Sequence, residues 1–132
     1  MSTHPLMFDP DDPDLARLRA LALDLPGAAE KIGHGRPTFF TTKVFCYYGG
    51  SPKVDIHRRH DHAIIVLPDR DDEPALRQDS RFWVPAYLGP SGWLGIDLDD
   101  TDWDEVAELL DASYRRTAPA RLVRELDART PD

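Results

Sequence analysis

Apolar residues recur at helical spacing near the start of the chain, where Leu15, Leu18, Leu21, Ala22 and Leu25 fall on one helical face. Asp12 just ahead of them reads as an N-cap, Pro13 as the first helical residue and Asp14 as a first-turn acid. Pro26-Gly27 is a strong stop, so the spacing predicts a helix over 12–24. Ala28 to Gly35 reads as a connector. The period then shortens. Thr38–Thr41 and Lys43–Tyr48 are β-branched and aromatic, and predict two strands joined by a tight turn near Thr41-Thr42. That turn lacks the glycine a two-residue hairpin favours. Gly49-Gly50-Ser51-Pro52 breaks the pattern. Lys53-Val54-Asp55-Ile56-His57 alternates as a strand with one buried face, and Ala63–Leu67 is a continuous apolar run suited to a central strand.

Pro68–Glu73 is a polar break, and Glu73 to Gln78 predicts a short helix with Pro74 near its start. Asp79 to Gly92 is a loop rich in Pro, Gly and aromatic residues. Trp93–Leu98 predicts a fifth strand. Thr101, with Asp104 three residues on, is a capping signal. Trp103, Val106, Ala107, Leu110 and Tyr114 follow as a helical stripe, and Pro119 opens a last helix with Leu122, Val123 and Leu126. The order is α-β-β-β-β, a loop with a short α, then β-α-α. Strands cluster in the middle and do not alternate with helices. This predicts an α+β fold, a five-stranded antiparallel sheet with helices packed on one face. Residues 1–11 show no periodicity and read as a flexible N-terminal arm; 12–129 read as one domain.

Composition narrows the function classes. The chain has 132 residues, of which 41% are hydrophobic, enough for one core. No apolar run approaches ~20 residues, so no membrane span is expected. Met1-Ser-Thr-His-Pro has neither the basic nor the apolar region of a secretory signal, which makes the cytoplasm the expected location. A lone cysteine, Cys46, excludes an internal disulfide and reads as a small buried hydrophobe on a strand. Net charge is −8, which disfavours nucleic-acid binding through the whole surface. Residues 31–62 run the other way: Lys31, Arg36, Lys43, Lys53, Arg58 and Arg59 face only Asp55 and Asp61.

Several constellations invite a chemical reading. Asp55-Ile-His-Arg-Arg-His-Asp-His62 gathers His57, His60 and His62 near carboxylates, the donor types that hold metals. On an extended segment His60 and His62 would share a face. Arg58 and Arg59 would repel a cation, and no helical metal motif is present, so a solvated hairpin loop is preferred and no metal or cofactor is expected. The same loop can track phosphates through its cations, with Tyr47 and Tyr48 nearby to stack on bases. Lys31-Ile-Gly-His-Gly-Arg-Pro37 sets glycines beside cations and can cradle an anion, or it is a plain loop ahead of a strand. The carboxylate runs 69–73 and 97–102 lack calcium-loop spacing. No nucleophile elbow is present, and nothing marks a catalytic residue. Phe82, Trp83, Tyr87, Trp93 and Trp103 can line a pocket or form a small core under the loop.

Short pieces of the sequence, taken in order, resemble the MmcQ/YjbR-like family over roughly 15–128. They are Leu25-Pro26-Gly27, Gly35-Arg36-Pro37-Thr38-Phe39, Lys43-Val44-Phe45, Phe82 with Val84-Pro85, Gly92-Trp93, and Ser113-Tyr114 with Ala118-Pro-Ala-Arg-Leu122. The resemblance implies a compact α+β domain with an antiparallel sheet, similar to secretion-chaperone-like folds. Members are often labelled DNA-binding by fold analogy, and fold does not fix function. No catalytic residues carry over from the family.

Two readings follow. In the first, a non-enzymatic protein binds DNA weakly through sheet hairpins, with Lys43, Lys53, Arg58 and Arg59 on phosphates. In the second, a module binds a small molecule or a protein through the aromatic loop 82–93, with Phe82, Trp83, Tyr87 and Trp93 forming the pocket and no nucleic acid involved. A monomer is favoured in either case.

Overall fold

The computed structural model describes residues 6–88 and 91–129. Helix α1 (Pro13–Ala22) starts as its sequence signals: the Asp12 carboxylate accepts the Asp14 amide and Pro13 takes the first turn. Six strands follow, β1 (Ala29–Gly33), β2 (Arg36–Phe40), β3 (Val44–Gly50), β4 (His60–Val66), β5 (Phe82–Trp83) and β6 (Leu94–Asp97). They form one antiparallel sheet in the order β1-β2-β3-β4-β6-β5. Helix α2 (Glu73–Gln78) lies between β4 and β5, and α3 (Trp103–Thr117) and α4 (Ala120–Asp127) end the described chain. The α+β class stands, with six strands in place of five.

Four expectations are corrected. Phe82–Trp83, inside the segment read as a loop, is strand β5 and pairs with β6 through Phe82↔Ile96 and Trp83↔Gly95. Ala29–Gly33 is an edge strand and not a connector, paired to β2 from Ala29↔Phe40 to Gly33↔Arg36. Its hairpin turn is His34-Gly35, both with positive φ (52° and 84°), the geometry of a two-residue turn that matches strand twist. The strand is mostly exposed, so no apolar alternation announced it. Lys53–His57 is a loop and not a strand. Register pairs Gly50 with His60, which leaves 51–59 outside the ladder. There the Asp55 amide donates to the Pro52 carbonyl, the Arg58 amide to the Asp55 carbonyl and the His57 amide to the Asp55 carboxylate. Val54, half of the alternation that suggested a strand, is 93% exposed. The cap of α3 is Asp102, which accepts the Glu105 amide, and Thr101 instead donates to the Asp97 carbonyl.

The core lies on one face of the sheet. Phe39, Cys46, Tyr48, Ile64, Val66 and Ile96 meet Leu15 and Leu18 of α1 and Val106, Leu110 and Tyr114 of α3. Each fully buried aliphatic side chain there contributes roughly 1.5–3 kcal/mol through removal from water. A bulge adjusts the pleat: Phe39 pairs with Cys46 and Phe40 with Val44, so Phe45 is the extra residue. Phe45 therefore also reaches the core, edge-on to Tyr114 at 5.5 Å between ring centroids. From the segment read as a flexible arm, Met7 donates to the Gly35 carbonyl and Phe8 packs on the core.

Candidate ligand cavity on the open face of the sheet

The other face of the sheet carries no helix from this core. Its register places six residues in one row across all strands: Lys31↔Thr38↔Tyr47↔Ile65↔Gly95↔Trp83. Alternation turns this row away from the core. A cavity of about 820 Å³ opens over the β1–β4 part of it, floored by Thr38, Tyr47 and Ile65 with Val44 beside them. Lys31, Gly33, His34 and Arg36 of the first hairpin form one wall. Gly49, Gly50, Ser51 and Ile56 form another, and Ala86, Tyr87 and Leu88 reach in from the aromatic loop.

Backbone pairing holds that loop in place. The Lys53 amide donates to the Val84 carbonyl and the Ala86 amide to the Ser51 carbonyl, around a bridge between Pro52 and Pro85. Tyr87 follows at φ 69°, which turns the chain sharply at the rim, and its side chain is 89% exposed. With Ile56, which also lines the cavity, it forms an exposed apolar lip at the mouth. Tyr47 packs edge-on against Trp93 at 5.3 Å, and burial raises the pKa of its phenol, so it stays a neutral hydrogen-bond donor.

The cations are not equivalent. Arg36 is buried and committed: it donates to Asp61 at 2.9 Å and to the Met7 carbonyl at 3.3 Å. Lys31 is exposed, with its ammonium 4.7 Å from the centroid of the Phe40 ring and no carboxylate partner among the described residues.

The four pocket residues expected from sequence separate. Tyr87 lines the cavity, and Trp93 supports its floor through Tyr47. Trp83 lies over Gly95 and against the His60 ring at 4.5 Å. Phe82 faces the helical side and packs on the core. The loop's Gly89 and Pro90 lie outside the described residues. Reasoning from sequence missed Val44 and Ile65, which only register brings together, and Ile56, which the 51–59 loop carries to them. Lys31 and Arg36 were visible as a glycine-flanked cationic pair, and the hairpin does bring both to one wall.

The four cations proposed for phosphates also separate. Lys43 precedes β3 while Lys53, Arg58 and Arg59 follow it, and seven strand residues at ~3.3 Å each span about 20 Å. Lys53 and Arg58 are exposed in the 51–59 loop. Arg59 donates to Asp61 and to the Met7 carbonyl.

The histidines do not converge either. His57 is exposed in the loop, His60 pairs with Asp97 at 2.7 Å, and His62 sits 2.9 Å from Asp12. Asp12, Asp14 and His62 bring ligand-type atoms within 4.8 Å of one another, a grouping not visible in sequence. Asp12 is already engaged there by the Tyr48 hydroxyl and the Asp14 amide. Cys46 is fully buried, and burial pushes its thiol well above the ordinary range, which suits packing and not nucleophilic chemistry.

Comparison with known proteins gives a consistent picture. The family model YjbR matches residues 23–116. No curated protein matches the chain. Among solved structures, the chain is similar to a crystal structure of Deinococcus radiodurans protein DR2400, with domain DUF419, at 19% identity and a TM-score of 0.62. The match covers 86% of this chain and 87% of that one, and at this identity it speaks to fold alone. No helix of the described residues is long and apolar enough to cross a membrane.

Proposed function

The chain belongs to the YjbR family, and for this member we propose a binding function in which a small molecule sits between the open face of the sheet and residues 86–88. The observation that carries it is the cavity of about 820 Å³, within the ~300–1,000 Å³ typical of small-molecule sites. Its floor belongs to neighbouring strands, which hold Thr38, Tyr47 and Ile65 rigidly, and its rim is a loop tethered at Ser51 and Lys53. A rigid floor under an apolar lip lowers the ordering cost of binding. The aromatic loop contributes as a wall, through Tyr87 and Leu88, more than as a cluster of stacked rings. DNA binding finds less support. Its four cations divide between the two ends of β3, and Arg59 is occupied by Asp61.

The test uses the neutral dye N-phenyl-1-naphthylamine, which brightens on leaving water. The full chain should take it up, and Trp93→Phe, which leaves Trp83 and Trp103 in place, should lower the energy transfer to it. Ile56→Glu, at a cavity residue 48% exposed and so tolerant of change, should weaken uptake by about tenfold. A dye that stays dark, or one indifferent to Ile56→Glu, would sink the proposal.

A further inference from the structure

Acidic residues number 24 in this chain and set its net charge at −8. None of those among the described residues lines the cavity, whereas Lys31, His34 and Arg36 all do, on a single wall. Elsewhere the lining is largely apolar, with Ile65 on the floor and Ile56 and Leu88 beside it. Resting on the binding function proposed above, we infer that the ligand is an anionic amphipath, with its charged head at Lys31 and its apolar body against Ile56, Ile65 and Leu88.

The two arginine-type and lysine-type cations of the wall divide the work. Arg36 spends its guanidinium on Asp61 and the Met7 carbonyl, so it shapes the wall and leaves little charge for a guest. Lys31 has no carboxylate partner among the described residues. Its backbone is fixed by the β1–β2 ladder and by the Thr38 hydroxyl, which donates to the Lys31 carbonyl at 3.1 Å. The ammonium rests over the Phe40 ring, a position that keeps it over the sheet face without neutralising it. The phenol of Tyr47, neutral by burial and without a hydrogen bond among the described residues, is a second donor on the floor. A carboxylate, sulfonate or phosphate head can accept from both. The chain as a whole is net acidic, so a wall of cations runs against the protein's overall charge.

Two dyes with the same anilinonaphthalene body test this. N-phenyl-1-naphthylamine is neutral, and 8-anilino-1-naphthalenesulfonate adds one sulfonate. The full chain should bind the sulfonate about tenfold more tightly than the neutral dye, the worth of one charge-assisted contact. Lys31→Gln should erase that preference, so that the ratio of the two affinities falls from about tenfold to about one. Arg121→Gln, at an exposed cation on α4, should alter neither. Equal affinities in the unmodified chain, or a preference that survives Lys31→Gln, overturn the anionic ligand while the cavity reading stands. Failure of both dyes to bind overturns the two together.

Discussion

The guanidinium of Arg36 fills the space that a side chain at Gly49 would need. A Cβ at position 49 would stand 2.2 Å from Nη1 of Arg36 and 3.2 Å from the His60 carbonyl. Gly49 also has φ 80°, a region that L residues seldom adopt. Both lie on the cavity wall, so the glycine lets the arginine cross from β2 to Asp61 on β4. Gly49→Ala combines backbone strain with a clash and should destabilise by about 2–3 kcal/mol in urea titration. In an Arg36→Ala background the clash goes and the strain stays, so the same substitution should cost less. Strictly additive costs would show that the two residues are not coupled.

The Asp61 carboxylate beneath Arg36 gives a pH prediction. Burial works to raise its pKa, but hydrogen bonds from Arg36 and Arg59 outweigh burial and hold it below the ordinary range. A carboxyl depressed in the folded state stabilises above its unfolded pKa, about 3.9. That contribution is lost as pH falls through the lower folded value. Asp61→Asn should therefore flatten the fall in stability below about pH 4 relative to the unmodified chain. Its side chain is 40% exposed, so solvent screening limits the difference to about 1 kcal/mol or less. Acid limbs of equal slope would remove Asp61 from the account.

Much of the core was legible from sequence because helical and strand periods expose it. Leu15, Leu18, Val106, Leu110 and Tyr114 mark their helices, and Ala63–Val66 marks its strand. The site was legible only in part. Lys53–His57 reads as a strand because Val54 and Ile56 alternate, yet Ile56 serves the cavity and Val54 faces solvent. Ala29–Gly33 carries polar residues at an edge, where pairing through β2 supplies the order that periodicity cannot reveal. Tyr47 and Ile65 meet only through register, and the bulge at Phe45 makes that register unreadable from spacing.

Asp12 joins two roles in one carboxylate. It caps α1 and accepts the buried hydroxyl of Tyr48, with His62 at 2.9 Å. Asp12→Ala removes the cap, worth about 1 kcal/mol, and leaves the buried Tyr48 hydroxyl only a long 3.4 Å contact with His62 Nδ1, at about 1–3 kcal/mol more. Tyr48→Phe leaves the cap in place and should cost less than Asp12→Ala in the same denaturation assay. Burial, reinforced by the Asp12 hydrogen bond, raises the Tyr48 phenol far above its ordinary value. A raised folded pKa means that its stabilisation is complete below about pH 10 and declines as pH climbs. Alkaline titration should thus show a phenolate absorbance that appears only on unfolding, and Tyr48→Phe should reduce that step. A larger cost for Tyr48→Phe than for Asp12→Ala would contradict the assignment.

Ser113 supports the bulge that turns Phe45 into the core. Its hydroxyl donates to the Phe45 carbonyl at 2.6 Å and accepts the Leu67 amide at 2.9 Å. One buried oxygen thus ties α3 both to the irregular point of β3 and to the chain just after β4. Ser113→Ala leaves a donor and an acceptor unpaired and should cost about 2–6 kcal/mol, at about 1–3 for each stranded group. Thr117→Ala, one turn on, removes a hydroxyl that only bonds back to its own helix, so its cost should stay within about 0.5 kcal/mol. The β3 register also positions Tyr47 and Val44 on the cavity floor. Ser113→Ala should therefore weaken dye uptake at temperatures where the chain remains folded, although Ser113 lies on the far side of the sheet. Intact uptake with reduced stability would mean that Phe45 and Tyr114 packing holds the bulge without the hydroxyl.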